Sequence, residues 1–211
     1  MDKYRVACIG AGSISREFSL CYLSSSPHLE VCVIADINIT AAENLARDVA
    51  LRRAGADIIG GKYRQTVDEN SISDELKQSL PRVVATSSID EALDLVDCVY
   101  IATPPMSHAH LTIKALAAKK HVILEKPLAV SMADCEAIVH AAEEGYRLHG
   151  VIVNVNIGMR HNLALKELIA RVNDPSFGPV SSIAIKNHYL RWPRVWQVQP
   201  WVAQRAEVGG G

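Results

Sequence analysis

Two periodicities alternate along this chain. A continuous apolar run of strand length, "YRVACIG" (4–10), leads into "SISREFSLCYLSSS" (13–26), where Ile14, Phe18, Cys21 and Tyr22 recur at helical spacing. "LEVCVIAD" (29–36) is a second β-branched run. "TAAENLARDVALRRA" (40–54) is a second amphipathic helix, with Thr40 as N-cap and Glu43 three residues on, a capping box. Further along, the same rhythm gives the strand "RVVATSS" (82–88), the helix "IDEALDLV" (89–96), the strand "DCVYIATPP" (97–105) and the helix "SHAHLTIKALAAKK" (107–120). The strand "HVILEKP" (121–127), the helix "SMADCEAIVHAAEEGYRLHG" (131–150) and the strand "VIVNVNIG" (151–158) complete it. Strands separated by helices pair in parallel through right-handed crossovers. The expected architecture is α/β, a doubly wound parallel sheet over residues 1–150.

Two segments break the pattern. Residues 55–81 are polar and contain glycine; they read as an inserted surface excursion with a helical turn or two between Ser73 and Leu80. After Gly158, "MRHNLALKELIARVNDPSFGPV" is one amphipathic helix ending in a Gly-Pro turn, and "VSSIAIKNHYLRW" alternates like a strand with one solvated face. Residues 151–211 thus read as the incomplete start of a second, α+β domain with an open-faced sheet. Ser107 is placed to cap its helix, and Lys119 stands where the chain needs a left-handed turn, which costs a non-glycine residue roughly 1 kcal/mol.

Composition narrows the function classes. The 22 Lys and Arg balance 23 Asp and Glu without long runs of either sign, which suggests no nucleic-acid or anionic-membrane surface. No apolar segment approaches the ~18 residues of a spanning helix, so a soluble, cytoplasmic protein is expected. The five cysteines form no C-x-x-C pair, and Cys8, Cys32 and Cys98 lie in apolar runs as small hydrophobes; no metal site is expected.

Three motifs carry candidate chemistry. "GAGSIS" follows the first strand and opens a helix: Gly10 would make the tight turn, Gly12 would let the backbone approach a pyrophosphate, and Ser13 and Ile14 begin the helix whose positive N-terminus would receive it. Ser15 stands where the fingerprint has Gly or Ala. Asp36, 24 residues beyond Gly12 at the end of the second strand, suits adenosine ribose hydroxyls. It would repel a 2′-phosphate, and "DINIT" offers no arginine, so NAD is favoured over NADP. A glycine turn that binds nothing is the alternative. "ATPPMSH" (102–108) ends a strand where the sheet order should reverse, and its prolines would form a wall for a ring, a merely structural turn being the alternative. In "EKP", Glu125 and Lys126 leave an apolar run at the sheet's carboxyl edge. A partly desolvated lysine near an oxidised nicotinamide can relay a hydroxyl proton, the alternative being a surface lysine after a strand.

"IGAGSIS", "VIADIN", "DCVYIATPPMSHAHLTIKALAAKKHVILEKPLAVSMADCEAIV" and "GMRHNLALKELI…FGPVSSI" resemble, in order and spacing, the glucose-fructose oxidoreductase, inositol dehydrogenase and rhizopine catabolism family (Gfo/Idh/MocA). The resemblance implies a Rossmann domain followed by an open-faced sheet domain that often forms an oligomer interface. It implies NAD(P)-dependent oxidation or reduction of a sugar, polyol or related small molecule. By the same resemblance Lys126 is the active-site lysine, the peptide before Pro127 is a candidate cis bond, Thr103, Pro104 and His108 line the cofactor pocket, and Arg160 faces substrate. Lys119 departs from the family's glycine. The run Gly209 to Gly211 resembles the opening of a G-G-G-x-L-x-D-x-G-x-H segment whose Asp and His are absent from these residues, so a C-terminal truncation, inactive alone, is expected.

The alternatives are a truncated, non-catalytic dinucleotide-binding protein or pseudoenzyme, and, against the "EKP" signal, an imine reductase with an appended sheet. The remaining histidines read as surface or packing residues, with His188 a weak candidate for the crevice. Trp192, Trp196 and Trp201 would wall a pocket or simply pack on the sheet.

Overall fold

A computed structural model describes residues 3–60 and 65–186. In chain order the strands are β1 (Tyr4–Ile9), β2 (Leu29–Ala35), β3 (Asp57–Ile59), β4 (Thr66–Asp68), β5 (Val84–Thr86), β6 (Cys98–Ile101), β7 (His121–Glu125) and β8 (Val153–Asn156). The helices are α1 (Ser13–Glu17), continued by a π-helical turn over Phe18–Leu23, then α2 (Ile39–Arg53), α3 (Asp74–Gln78), α4 (Ile89–Asp94), α5 (His108–Ala117), α6 (Met132–His149) and α7 (Leu163–Val172). Six strands form one parallel sheet in the order β5-β2-β1-β6-β7-β8. The chain winds outward from β1 through β2 to β5, then crosses back to β6 and winds outward the other way. This is the expected doubly wound sheet.

Both faces of the sheet are covered, which is why its strands read as unbroken apolar runs. Val6, Cys8, Val31, Ile34 and Tyr100 pack on one side with Leu20, Leu45 and Val49; Ala7, Ile9, Val33, Val99 and Leu124 pack on the other with Leu93, Leu116 and Ile138. A bulge places Val31 opposite Val6 but Val33 opposite Ala7, so Cys32 is the extra residue. Each fully buried Val, Leu or Ile contributes about 1.5–3 kcal/mol of transfer free energy. Buried Cys8 and Cys98 have their thiols pushed up to about 12, chiefly by burial, and behave as core atoms.

Four local expectations are corrected. The cap of α2 is Asn38, whose side chain accepts from the Ala41 amide at 3.2 Å; Thr40 is already inside the helix, so Thr40 and Glu43 form no capping box. The cause lies at Asp36, which accepts the Asn38 amide at 2.8 Å and turns the chain early. In the first helix the buried residues are Ser15, Glu17, Ser19, Leu20 and Leu23, whereas Tyr22 is 56% exposed. The π turn rotates the face away from 3.6-residue spacing, and Ser19 comes close enough to donate to Cys8 Sγ at 3.1 Å.

The segment 55–81 is more than a surface excursion. Strands β3 and β4 pair as an antiparallel hairpin, α3 follows, and Val67 and Ile72 join the core around α2. Finally, β8 pairs in parallel with β7, so the sheet runs past the boundary expected at residue 150 and ends at Asn156. Lys119 does adopt the left-handed conformation, with φ 61, and closes the end of α5.

Beyond β8, α7 is capped by Asn162, and among the described residues Val180 to Lys186 carry no strand. The rest of the strand expected there, with His188, Trp192, Trp196, Trp201 and Gly209 to Gly211, lies outside the described residues. Among the described residues no helix is long and apolar enough to cross a membrane.

Two substitutions test this arrangement. Arg5 grips Asp97 with its backbone amide, Nε and a guanidinium nitrogen at 3.0, 3.2 and 2.8 Å, joining the starts of β1 and β6. That hydrogen bonding holds the Asp97 carboxyl below its ordinary range, so its contribution to stability is present at neutral pH and is lost as acid protonates it. Asp97→Asn should lower the urea midpoint at pH 7, and the gap to the unchanged chain should close below about pH 4. Gly10 has φ 97, and a Cβ there would sit 2.8 Å from the Ala102 carbonyl oxygen. Gly10→Ala should destabilise by about 1–3 kcal/mol in thermal melts, whereas Gly12→Ala should stay within about 0.5 kcal/mol.

Candidate active site

The winding direction reverses between β1 and β6, the point in a doubly wound sheet where the loops leaving the carboxyl ends of the strands turn apart and leave a crevice. Gly10 sits at the junction. Its amide donates to the Ala35 carbonyl at 2.7 Å, on β2, while the Ala102 amide donates to the Ile9 carbonyl at 2.9 Å, from the other side. No side chain fits between these backbones. Gly12 is different: it has an ordinary extended backbone, φ −73, and a Cβ there would meet nothing within 4 Å. The space above it is open, and the first-turn amides of Ser13 and Ile14 have no acceptor within their own helix. Nothing in the packing of the described residues requires a glycine at position 12.

Asp36 ties this loop to β2. Its Oδ2 accepts from the Ala11 amide at 2.6 Å and its Oδ1 from the Asn38 amide at 2.8 Å, which leaves lone pairs on both oxygens for further donors. The arginines around α2 are engaged elsewhere: Arg16 with Asp48, Arg47 with Glu69, Arg53 with Glu30, and Arg52 with the Ala56 carbonyl. Among the described residues no guanidinium pairs with Asp36, and its spare acceptors are open to a donor such as a ribose hydroxyl.

Across the crevice, Thr103 and Pro104 open the loop after β6, and Pro104 is exposed. Ser107 occupies the cap position of α5 without capping it; its hydroxyl donates instead to the Pro104 carbonyl at 2.8 Å and pairs with the Thr103 hydroxyl at 2.7 Å, which folds the loop on itself. His108 does not line a pocket. It is fully buried, with Nε2 3.0 Å from the Thr103 carbonyl oxygen and Nδ1 2.8 Å from that of Pro127. One ring thereby straps the loop after β6 to the segment after β7. As a neutral imidazole it donates to one of these carbonyls, and as an imidazolium to both.

Glu125 ends β7 at only 7% exposure. Its Oε1 accepts from the Tyr100 hydroxyl at 2.8 Å and from Asn156 Nδ2 at 2.6 Å, and its Oε2 from the Lys126 amide at 3.3 Å. Burial, then the charge of Glu125, pushes the Tyr100 phenol far up, so it remains a donor. Tyr100 in turn stacks on Phe18, ring centroids 5.2 Å apart, reaching the helix that the glycine loop opens. Lys126 is exposed, and the peptide joining it to Pro127 is cis. The backbone around this lysine is therefore anchored on both sides, by Glu125 before it and by His108 after it.

Tyr100, Asn156 and Phe18 are site neighbours that the motifs do not single out. A tyrosine in an apolar strand needs a partner for its hydroxyl, and Asn156 is the direct register partner of Glu125; these were the available signals. Arg160 lies in an exposed turn, Gly158–His161, and contacts none of these residues through a hydrogen bond or ion pair. His121 packs edge-on against Tyr4, and His28, His110, His140, His149 and His161 are exposed.

Known proteins share this fold. A family described as "Oxidoreductase family, NAD-binding Rossmann fold" matches residues 4–156. Similar relatives include a 1,5-anhydro-D-fructose reductase from Ensifer adhaerens, 33% identical over 117 residues that cover 55% of this chain and 33% of that protein. A 2,7-anhydro-N-acetylneuraminate hydratase from Escherichia coli K12 is 32% identical over 128 residues, 59% of this chain and 32% of its own length. The chain thus spans about a third of the curated relatives it matches. Among solved structures, the WlbA dehydrogenase from Bordetella pertussis in complex with NADH and UDP-GlcNAcA superposes with a TM-score of 0.59 at 22% identity, over 84% of this chain and 44% of its own. The scyllo-inositol dehydrogenase from Lactobacillus casei gives 0.58 at 16% identity, over 84% and 43%. At these identities the superpositions speak for the fold. The family match covers every strand of the six-stranded sheet, and the chain belongs to the Gfo/Idh/MocA family of NAD-binding oxidoreductases.

Proposed function

We propose that this chain binds NAD in the β1/β6 crevice and forms the cofactor half of an oxidoreductase acting on a secondary alcohol of a sugar, polyol or related molecule. The observation that carries this reading is the convergence at one sheet edge of open space over Gly12, an unopposed acceptor at Asp36 and a doubly anchored Lys126. The names of relatives, a reductase of anhydrofructose and an inositol dehydrogenase, support the substrate class.

The residues divide the work. Gly12 and the first-turn amides of Ser13 and Ile14 receive the pyrophosphate, and Asp36 accepts from the adenosine ribose. Thr103 and Pro104 present a wall with few donors of its own. Bound NAD supplies the hydride acceptor. Lys126 holds the substrate hydroxyl through its ammonium and, once deprotonated, takes the hydroxyl proton at Nζ. Its anchored backbone limits how far that nitrogen wanders, and orientation is where such sites gain most of their rate.

Binding comes first among the tests. NADH fluorescence should change on titration with the chain, NADPH should bind more weakly, and Asp36→Ala should reduce NADH affinity about tenfold or more, the loss of charge-assisted hydrogen bonds. No NADH binding at millimolar concentration would refute the reading. For chemistry, turnover is to be measured with a panel of polyols and sugars in a form of the protein that also carries the substrate half, because residues 1–211 alone are expected to be inactive. Lys126→Ala should lower kcat by about 10²–10⁴ while changing NADH affinity little; a variant that keeps its kcat removes Lys126 from the proton step.

A further inference from the structure

We propose that Glu125 makes the crevice favour the oxidised over the reduced nicotinamide cofactor, by holding an uncompensated negative charge at the carboxyl end of β7. This inference rests on the cofactor reading above and concerns which state of that cofactor is preferred.

All three contacts to the Glu125 carboxyl group are donated to it: by the Tyr100 hydroxyl, by Asn156 Nδ2 and by the Lys126 amide. Nothing near it accepts a proton, which is the arrangement of a carboxylate. All three donors are neutral. Among the described residues Glu125 takes part in no ion pair, and the neighbouring Lys126 side chain is exposed to water instead of folding back onto it.

A carboxylate so placed has lost most of its hydration, and neutral hydrogen bonds offset that loss only in part. The sheet itself does not need the charge: an apolar side chain would extend β7 without it, as Leu124 does on the opposite face. Three strands nonetheless contribute to hold it, Tyr100 from β6, Glu125 from β7 and Asn156 from β8, and Phe18 braces Tyr100 from the helix after the glycine loop. Glu17, also buried and unpaired among the described residues, acts on Tyr100 with the same sign. The opposing charges nearby are Lys126, screened by water, and His108 when protonated.

The oxidised nicotinamide ring carries one positive charge more than the reduced ring. A fixed negative charge in a poorly screened site stabilises the cation selectively, because the neutral ring gains nothing from it. The bound cofactor is thereby biased toward accepting hydride from an alcohol.

The experiment compares dissociation constants of NAD⁺, NADH and ADP-ribose by calorimetry for the chain and its variants, with circular dichroism as the check on folding. Glu125→Gln removes the charge and keeps the shape, and the ratio Kd(NAD⁺)/Kd(NADH) should rise about tenfold with ADP-ribose affinity within about twofold. Asn156→Lys leaves Glu125 in place and compensates it, and should raise the same ratio, so the idea stands or falls even if Glu125→Gln does not fold. Tyr100→Phe deletes one donor but not the charge, and should move the ratio far less. If ADP-ribose binds and neither folded charge variant shifts the ratio, the inference is overturned alone. If the unchanged chain binds no ADP-ribose, the cofactor reading falls and takes the inference with it.

Discussion

The site depends on one steric fact: at the end of β1 the backbone of Gly10 lies against the carbonyl of Ala102, and no Cβ fits between them. That contact lets β1 pair with β6 to its very end while the two loops turn apart. The two glycines of the "GAG" turn therefore have separate physical reasons. Gly10 is demanded by the protein's own backbone, and Gly12, with nothing near it, is demanded by nothing in the chain itself.

Polar chemistry then sorts itself across the sheet. On the β2 side Asp36 holds the glycine loop and keeps acceptors to spare. On the β7 side the carboxylate of Glu125 and the ring of His108 are buried, and each is tied to a neighbouring strand or loop. Strand β6 and the loop after it join the two halves, the strand giving Tyr100 to Glu125 and the loop giving the Thr103 carbonyl to His108. Buried polar groups in such numbers are expensive unless every one is paired, and these are paired across elements far apart in sequence. The crevice walls are consequently fixed to the core, not laid on its surface.

The alternation of strands and helices was legible because burial on both faces leaves unbroken β-branched runs, and the crossovers leave amphipathic helices between them. "GAGSIS", Asp36 and "EKP" were legible as placements at strand ends. What escaped was decided by local turns that spacing does not reveal and by partners distant in sequence. Thr40 looked like a cap until Asp36 pulled the chain onto Asn38. Ile14, Phe18, Cys21 and Tyr22 looked like a face until a π turn rotated it, and no spacing rule foresees an i→i+5 turn. The hairpin of β3 and β4 has strands of three residues each, too short for alternation to register. His108 read as a lining residue because its motif lies at the crevice, but its ring turns inward to two carbonyls that the sequence places 5 residues before it and 19 after it.

The two readings of "EKP", a surface lysine after a strand or a residue held for chemistry, differ in what they require of the backbone. A solvated lysine at a strand end needs no support, since water satisfies its amide, its carbonyl and its ammonium alike. Here the residue before it is a buried carboxylate with three donors, and the carbonyl of the residue after it is bound by a fully buried histidine. Both anchors carry polar groups into the core, where each would be destabilising on its own account. Together they fix the backbone on either side of Lys126, so the point from which its exposed side chain leaves β7 is set by the core, a support that the proposed proton step uses and that a lysine facing only water does not need.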